Sequence, residues 1–137
     1  MIIGYTAGVF DLFHVGHVNL LRAAKGLCTH LIVGVSSDEI AIYKNKKPVI
    51  SFEDRKAVVE SCKYVDLVVG QYSLDKYEAF KKIGFNILFV GDDWYNKGQW
   101  KDIEKKIKPA KVIYLPYTRT VSSTIINNIL ENKRNSL

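Results

Sequence analysis

Cysteine is scarce in this chain of 137 residues, which carries only Cys28 and Cys62. Two cysteines so far apart make no disulfide scaffold, so free buried thiols are expected. No apolar run reaches the length that spans a bilayer. The first residues also lack a basic stretch followed by an apolar core. A membrane span and a secretory leader are therefore not expected, and a cytoplasmic protein is. Internal repeats, low-complexity tracts and linkers are missing too, which leaves one domain over 1–137, large enough to bury an ordinary core.

Charge is not balanced. Twenty Lys and Arg against fourteen Asp and Glu give a net charge of +6. The lysines are spread over several segments with no interleaved aromatic platform, so a nucleic-acid partner is not expected. Small anionic substrates account for the excess equally well. The lysines between 101 and 111 read as a solvated helix face, and Lys44-Asn45-Lys46-Lys47 as a functional loop.

Short apolar segments alternate with helical patterns. Strands are predicted at Ile2–Ala7, Leu31–Val35, Leu67–Val69, Ile87–Val90 and Val112–Leu115. Helices are predicted at His17–Leu27, Phe52–Ser61, Leu74–Ile83, Gln99–Ile107 and Ser122–Asn132, with Ser51 and Ser73 as caps for the second and third. The alternation predicts an α/β fold: a Rossmann-like, doubly wound, parallel five-stranded sheet with helices on both faces. Ligands in such folds bind at the carboxyl ends of the strands. The first strand would end at Gly8–His17 and the fourth at Gly91-Asp92-Asp93-Trp94, facing one crevice.

His14 and His17, with Gly16 between them, run directly into an apolar-periodic helix. The unpaired first-turn N–H groups of a helix carry the positive end of its dipole and make an anion site. Two imidazole donors added there can follow negative charge as it builds on a phosphoryl group. Zinc would need further ligands, and Cys28, Cys62 and His30 show no metal-like spacing.

These residues carry a resemblance. Gly8-Val9-Phe10-Asp11-Leu12-Phe13-His14-Val15-Gly16-His17 resembles the signature of the nucleotidyltransferase superfamily that includes the cytidylyltransferases. Ser36-Ser37-Asp38-Glu39, Lys44 to Pro48, Glu53-Asp54-Arg55, Tyr64-Val65-Asp66, Gly91-Asp92-Asp93-Trp94 and Leu115-Pro116 leading to Ser122-Ser123-Thr124 follow in order. The resemblance therefore covers nearly the whole chain and implies one nucleotidyltransferase domain. It implies transfer of CMP from CTP to a small phosphorylated alcohol, glycerol-3-phosphate or a related polyol phosphate, with release of pyrophosphate.

It also implies roles. His14, His17 and Lys46 would be catalytic. Gly8, Val9, Phe10, Asp11, Gly16, Asp93, Trp94, Arg119, Ser122, Ser123 and Thr124 would bind the nucleotide. Lys44, Arg55 and Tyr117 would bind the acceptor, although Arg55 and Asp66 taken alone read as packing or interface residues. Mg2+ would be bound through the triphosphate with no metal ligand from the protein. A homodimer making surface-polymer precursors is the implied setting. The chain departs from the family in one stretch. The family reads Arg-Thr-x-Gly-Ile before its serines, and an ungapped match puts that arginine on Tyr117 and that glycine on Thr120. Arg119 or Tyr117 would then stand in for the arginine. The same machinery could serve an ATP-dependent adenylyltransferase, or a non-catalytic nucleotide-binding module.

Overall fold

The computed structural model describes residues 1–91, 98–116, 118 and 122–135. Its elements run β1 (Ile3–Gly8), α1 (Val15–Lys25), β2 (His30–Ser36), α2 (Asp38–Tyr43), α3 (Phe52–Glu60) and β3 (Leu67–Gln71). They continue as α4 (Lys76–Ile83), β4 (Ile87–Gly91), α5 (Gly98–Lys106), β5 (Lys111–Leu115) and α6 (Ser123–Asn135). The five strands form one sheet in the order β3-β2-β1-β4-β5, and every pairing is parallel. The predicted fold class is therefore the one observed.

Side-chain alternation assigns the two faces. Leu31, Val33 and Val35 of β2 pack with Leu21, Ala24 and Val59, under α1 and α3. Ile32, between them in sequence, joins Tyr5, Leu88 and Val90 in a second cluster with Trp100 and Ile107, under α4 and α5. A parallel sheet buried on both faces needs such continuous apolar strands. β1 lies in the middle of the order, and the direction of winding reverses between β1 and β4. The crevice at this reversal is where ligands of such folds bind.

Two elements differ from expectation. Helix α2 was not predicted; Ser37 caps it by accepting from the Ile40 N–H at 3.2 Å. The third predicted helix starts at Lys76 and not Leu74, because Asp75 is its cap: its Oδ1 accepts from the N–H groups of Tyr77 and Glu78. Ser73 instead braces that cap, accepting from the Asp75 N–H at 3.1 Å. Ser51 caps α3 as predicted. Both cysteines are free and half-buried.

Candidate active site

The loop from β1 to α1 is held in an unusual backbone shape. Phe10 and Leu12 have φ of 55° and 49°, the left-handed region that side chains rarely adopt. Such residues cost about 1–3 kcal/mol each and persist only where packing over-determines them. Here the packing is visible: the Phe10 ring is buried, and its centroid lies 5.3 Å from that of His17. Phe13 stacks on the His17 ring, also at 5.3 Å, and His14 lies 3.9 Å from it.

His14 and His17 form a reciprocal cap at the start of α1. The His14 Nδ1 accepts from the Gly16 N–H at 3.0 Å, and the His17 Nδ1 accepts from the His14 N–H at 3.1 Å. This is the geometry of a capping box, in which residues three apart satisfy each other's orphan donors. A nitrogen that accepts a hydrogen bond carries no proton, so each neutral ring holds its proton on Nε2. Burial lowers the pKa of His14. Burial, then the neighbouring His14, push that of His17 down to about 4, with Asp11 opposing. At neutral pH the pair therefore presents neutral Nε2–H donors. Gly16 is required for the packing, since a Cβ there would meet the His14 ring at 2.8 Å.

Asp11 ties the parts together. Its buried carboxylate accepts from the N–H groups of Val49 and Ile50 at 2.9 and 3.0 Å, anchoring the far end of the lysine loop. Its carbonyl accepts from the Ser123 hydroxyl at the start of α6. Ser122 caps that helix, accepting from the Ile125 N–H at 3.0 Å. A cavity of about 330 Å³ opens between these segments. Gly8, Val9, Phe10, Asp11, His17, Lys46, Ser123 and Thr124, all predicted for the site, line it together with Asn45, Lys47, Asn127 and Asn128. His14 and Ser122, which cap α1 and α6, and Gly16 in the first turn of α1 are not part of that lining.

Lys44 does not belong to this cavity. It ends α2, and its ammonium donates to the Ser36 hydroxyl at the tip of β2, 3.1 Å away. Lys76 opens α4, and burial and then the Lys44 charge push its pKa down to about 8. Burial, then Lys46, lowers the pKa of Lys44. Among the described residues neither Lys44 nor Lys76 makes an ion pair. Two ammonium groups without a carboxylate partner are a seat for a multiply charged anion.

Arg55 is corrected by its surroundings. It is 1% exposed and makes four hydrogen bonds: to the carbonyls of Ile50, Val9 and Ser36, and to the Asp38 carboxylate at 2.6 Å. Its guanidinium pins the β1 loop, the tip of β2 and the start of α3 together, and it does not line the cavity. Asp66 is likewise structural, accepting from Lys25 and from the Leu31 N–H. Asp93, Trp94, Tyr117 and Arg119 lie outside the described residues. Lys76, Asn127 and Asn128 were missed from the sequence. Nothing local marks them, because their neighbours at the site come from distant segments.

Three comparisons bear on this arrangement. A family model described as cytidylyltransferase-like matches residues 5–133. A glycerol-3-phosphate cytidylyltransferase of Staphylococcus aureus is 36% identical over 129 residues, covering 93% of this chain and 94% of its own. An FAD synthase of Thermococcus kodakarensis is 35% identical over 132 residues, covering 90% of this chain and 89% of its own. Among solved structures, a lipopolysaccharide core biosynthesis protein from Thermoplasma volcanium aligns with a TM-score of 0.74 at 25% identity. That match covers 88% of this chain and 99% of the other.

Proposed function

The chain belongs to the cytidylyltransferase-like family, and from that premise we propose that it transfers CMP from CTP to a small phosphorylated alcohol, glycerol-3-phosphate or a related polyol phosphate. The observation that carries this reading is the pairing of two half-sites. One holds neutral imidazole donors beside a capped helix and a cavity; the other holds two unpaired ammonium groups at the neighbouring strand tips.

The chemistry needs little from the protein beyond position and charge. An oxygen of the acceptor phosphate attacks the α-phosphorus of the triphosphate. The bond from that phosphorus to the bridging oxygen breaks, and the electron pair leaves with pyrophosphate. The attacking oxygen is already ionised, so no base is required. Lys44 and Lys76 hold the acceptor phosphate against its own repulsion from the triphosphate. The Nε2–H groups of His14 and His17 meet the charge growing on the α-phosphoryl oxygens, and Lys46 reaches the same phosphates from the loop. Thr124 offers its hydroxyl, and Ser123 and Thr124 their first-turn N–H groups, to the phosphates beyond.

Magnesium enters as part of the substrate. Among the described residues no three carboxylate, histidine or cysteine groups gather, and both Asp11 oxygens already accept backbone N–H groups. The ion would be held by triphosphate oxygens and water, as suits its octahedral preference. A homodimer, a cytoplasmic location and a place in making surface-polymer precursors complete the proposal. Among the described residues no helix is long and apolar enough to cross a membrane.

The similarity to an FAD synthase favours a second reading, adenylyl transfer from ATP to a flavin phosphate. Pyrophosphate release separates the two. Purified protein with magnesium is offered CTP or ATP against glycerol-3-phosphate, other polyol phosphates and FMN, with products identified by mass. Release that needs CTP and a polyol phosphate is expected. Equal or better turnover with ATP and FMN replaces the cytidylyl reading with the flavin one. Nucleotide binding without release for any pair leaves a binding module.

A further inference from the structure

Ser36 and Gln71 end β2 and β3 side by side in the sheet register, and both are almost wholly buried. Ser36 Oγ donates to Gln71 Oε1 at 2.6 Å, while Lys44 Nζ donates to Ser36 Oγ at 3.1 Å. The direction of this chain is chemically forced. An ammonium can only donate and an amide oxygen can only accept, so the single hydroxyl proton must go to Gln71. Gln71 thereby fixes the rotor of Ser36 and leaves its lone pairs aimed at Lys44. Hydrogen bonds linked head to tail in a buried setting also strengthen one another.

The seat itself is rigid. The Ser36 carbonyl accepts from Arg55 at 2.8 Å, and the Ser37 N–H donates to the Gln71 carbonyl at 3.0 Å. It is also neutral, since neither Ser36 nor Gln71 carries a charge. A neutral anchor holds the ammonium in place and leaves its charge, and its remaining two N–H donors, available to a ligand.

We propose that Gln71, acting through Ser36, is a positioning residue that orients the Lys44 ammonium for the acceptor phosphate. The inference rests on the reading of Lys44 and Lys76 as the acceptor seat. It assigns specificity to two buried residues that touch no substrate: they set binding of a phosphorylated acceptor and leave triphosphate binding alone.

Steady-state kinetics of the full chain test it, with CTP and glycerol-3-phosphate varied in turn. Gln71→Leu should raise the acceptor KM about tenfold, the size of one hydrogen bond to a charged group, with the CTP KM within about twofold. Ser36→Ala, which removes one oxygen, should do the same. Gln71→Glu keeps the acceptor oxygen but places a carboxylate in the neutral anchor beside Lys44, and should leave the acceptor KM raised. The double variant Lys44→Met/Gln71→Leu should be no worse than Lys44→Met alone. Equal rises in both KM values, no rise with either single variant, or an unaltered acceptor KM in Gln71→Glu would each overturn the assignment. If Lys44→Met itself leaves the acceptor KM unchanged, the acceptor seat is wrong. If Lys44→Met raises it and the Gln71 and Ser36 variants do not, only the positioning role fails.

Discussion

His14 and His17 each use Nδ1 to hold the backbone of the other's segment, so one pair of side chains both starts helix α1 and, through His17, lines the cavity beside it. Their spacing of three is a capping-box spacing before it is anything catalytic. The cap occupies Nδ1 of each neutral ring and so leaves its proton on Nε2.

Capping and catalysis are therefore separable by substitution. His14→Ser keeps an acceptor for the Gly16 N–H and should leave the melting temperature nearly unchanged. His14→Ala removes the cap and should cost about 1 kcal/mol. Both should lower turnover by about 10²–10³, the loss typical of one preorganised donor. Thermal melting set beside pyrophosphate release distinguishes them, and near-normal turnover in His14→Ser would end the donor role.

Acid should unfold the site from the histidines. His17 has a folded pKa near 4 against an ordinary 6.5, so the unfolded chain binds the extra proton first. Its contribution to stability is complete above pH 6.5 and is lost as the pH falls toward 4. Protonation also removes the Nδ1 acceptor and opens the cap. Urea midpoints between pH 7.5 and 4 should fall steeply, and His17→Gln should flatten that slope. A slope unchanged by the substitution would place the titration elsewhere.

Lys76 gives the opposite limb. With its pKa near 8 in the free protein, it loses its charge as the pH rises past that value. The kcat/KM for the phosphorylated acceptor should decline above pH 8, while that for the nucleotide holds. Lys76→Met should show a low, flat profile over the same range, with acceptor kcat/KM reduced about tenfold or more. An alkaline limb that survives in Lys76→Met would assign it to another group.

Arg55 is predicted to matter for folding before function. Replacing it with Ala strands the buried Ser36 carbonyl and the part-buried carbonyls of Ile50 and Val9 and frees a half-exposed Asp38 carboxylate, a loss of about 3 kcal/mol or more. For a domain of this size the melting temperature should drop by roughly 10 °C or more. A near-normal melting curve with a selective rise in acceptor KM would restore the substrate role that the sequence suggested.

Legibility in the sequence followed the range of the forces involved. The strands were readable because a sheet buried on both faces demands unbroken runs such as Leu31 to Val35. Helix α2 was not, because its six residues bury only Ala41 and present no periodic stripe. At α4 the sequence pointed to Ser73 as the cap, and the structure uses Asp75 because its carboxylate serves two N–H groups. His14, His17 and Lys46 stood out through local motifs. Arg55 misled because its acceptors come from positions 9, 36, 38 and 50, which only the fold brings together. Lys76 was invisible for the same reason: in a lysine-rich chain nothing sets it apart until α4 carries it to Lys44.

The strand order has a consequence for how such a protein can change over time. The histidine pair and most of the cavity wall sit on β1, α1 and α6, with Asn45 to Pro48 after α2 closing one side, whereas Lys44 and Lys76 sit at the ends of α2 and α4. Mutations in the second group can remodel one partner's seat without disturbing the donors that stabilise the shared reaction. On the proposed reading, drift confined to the ends of α2 and α4 would exchange acceptors, whereas drift in Asn45 to Pro48 would touch both partners.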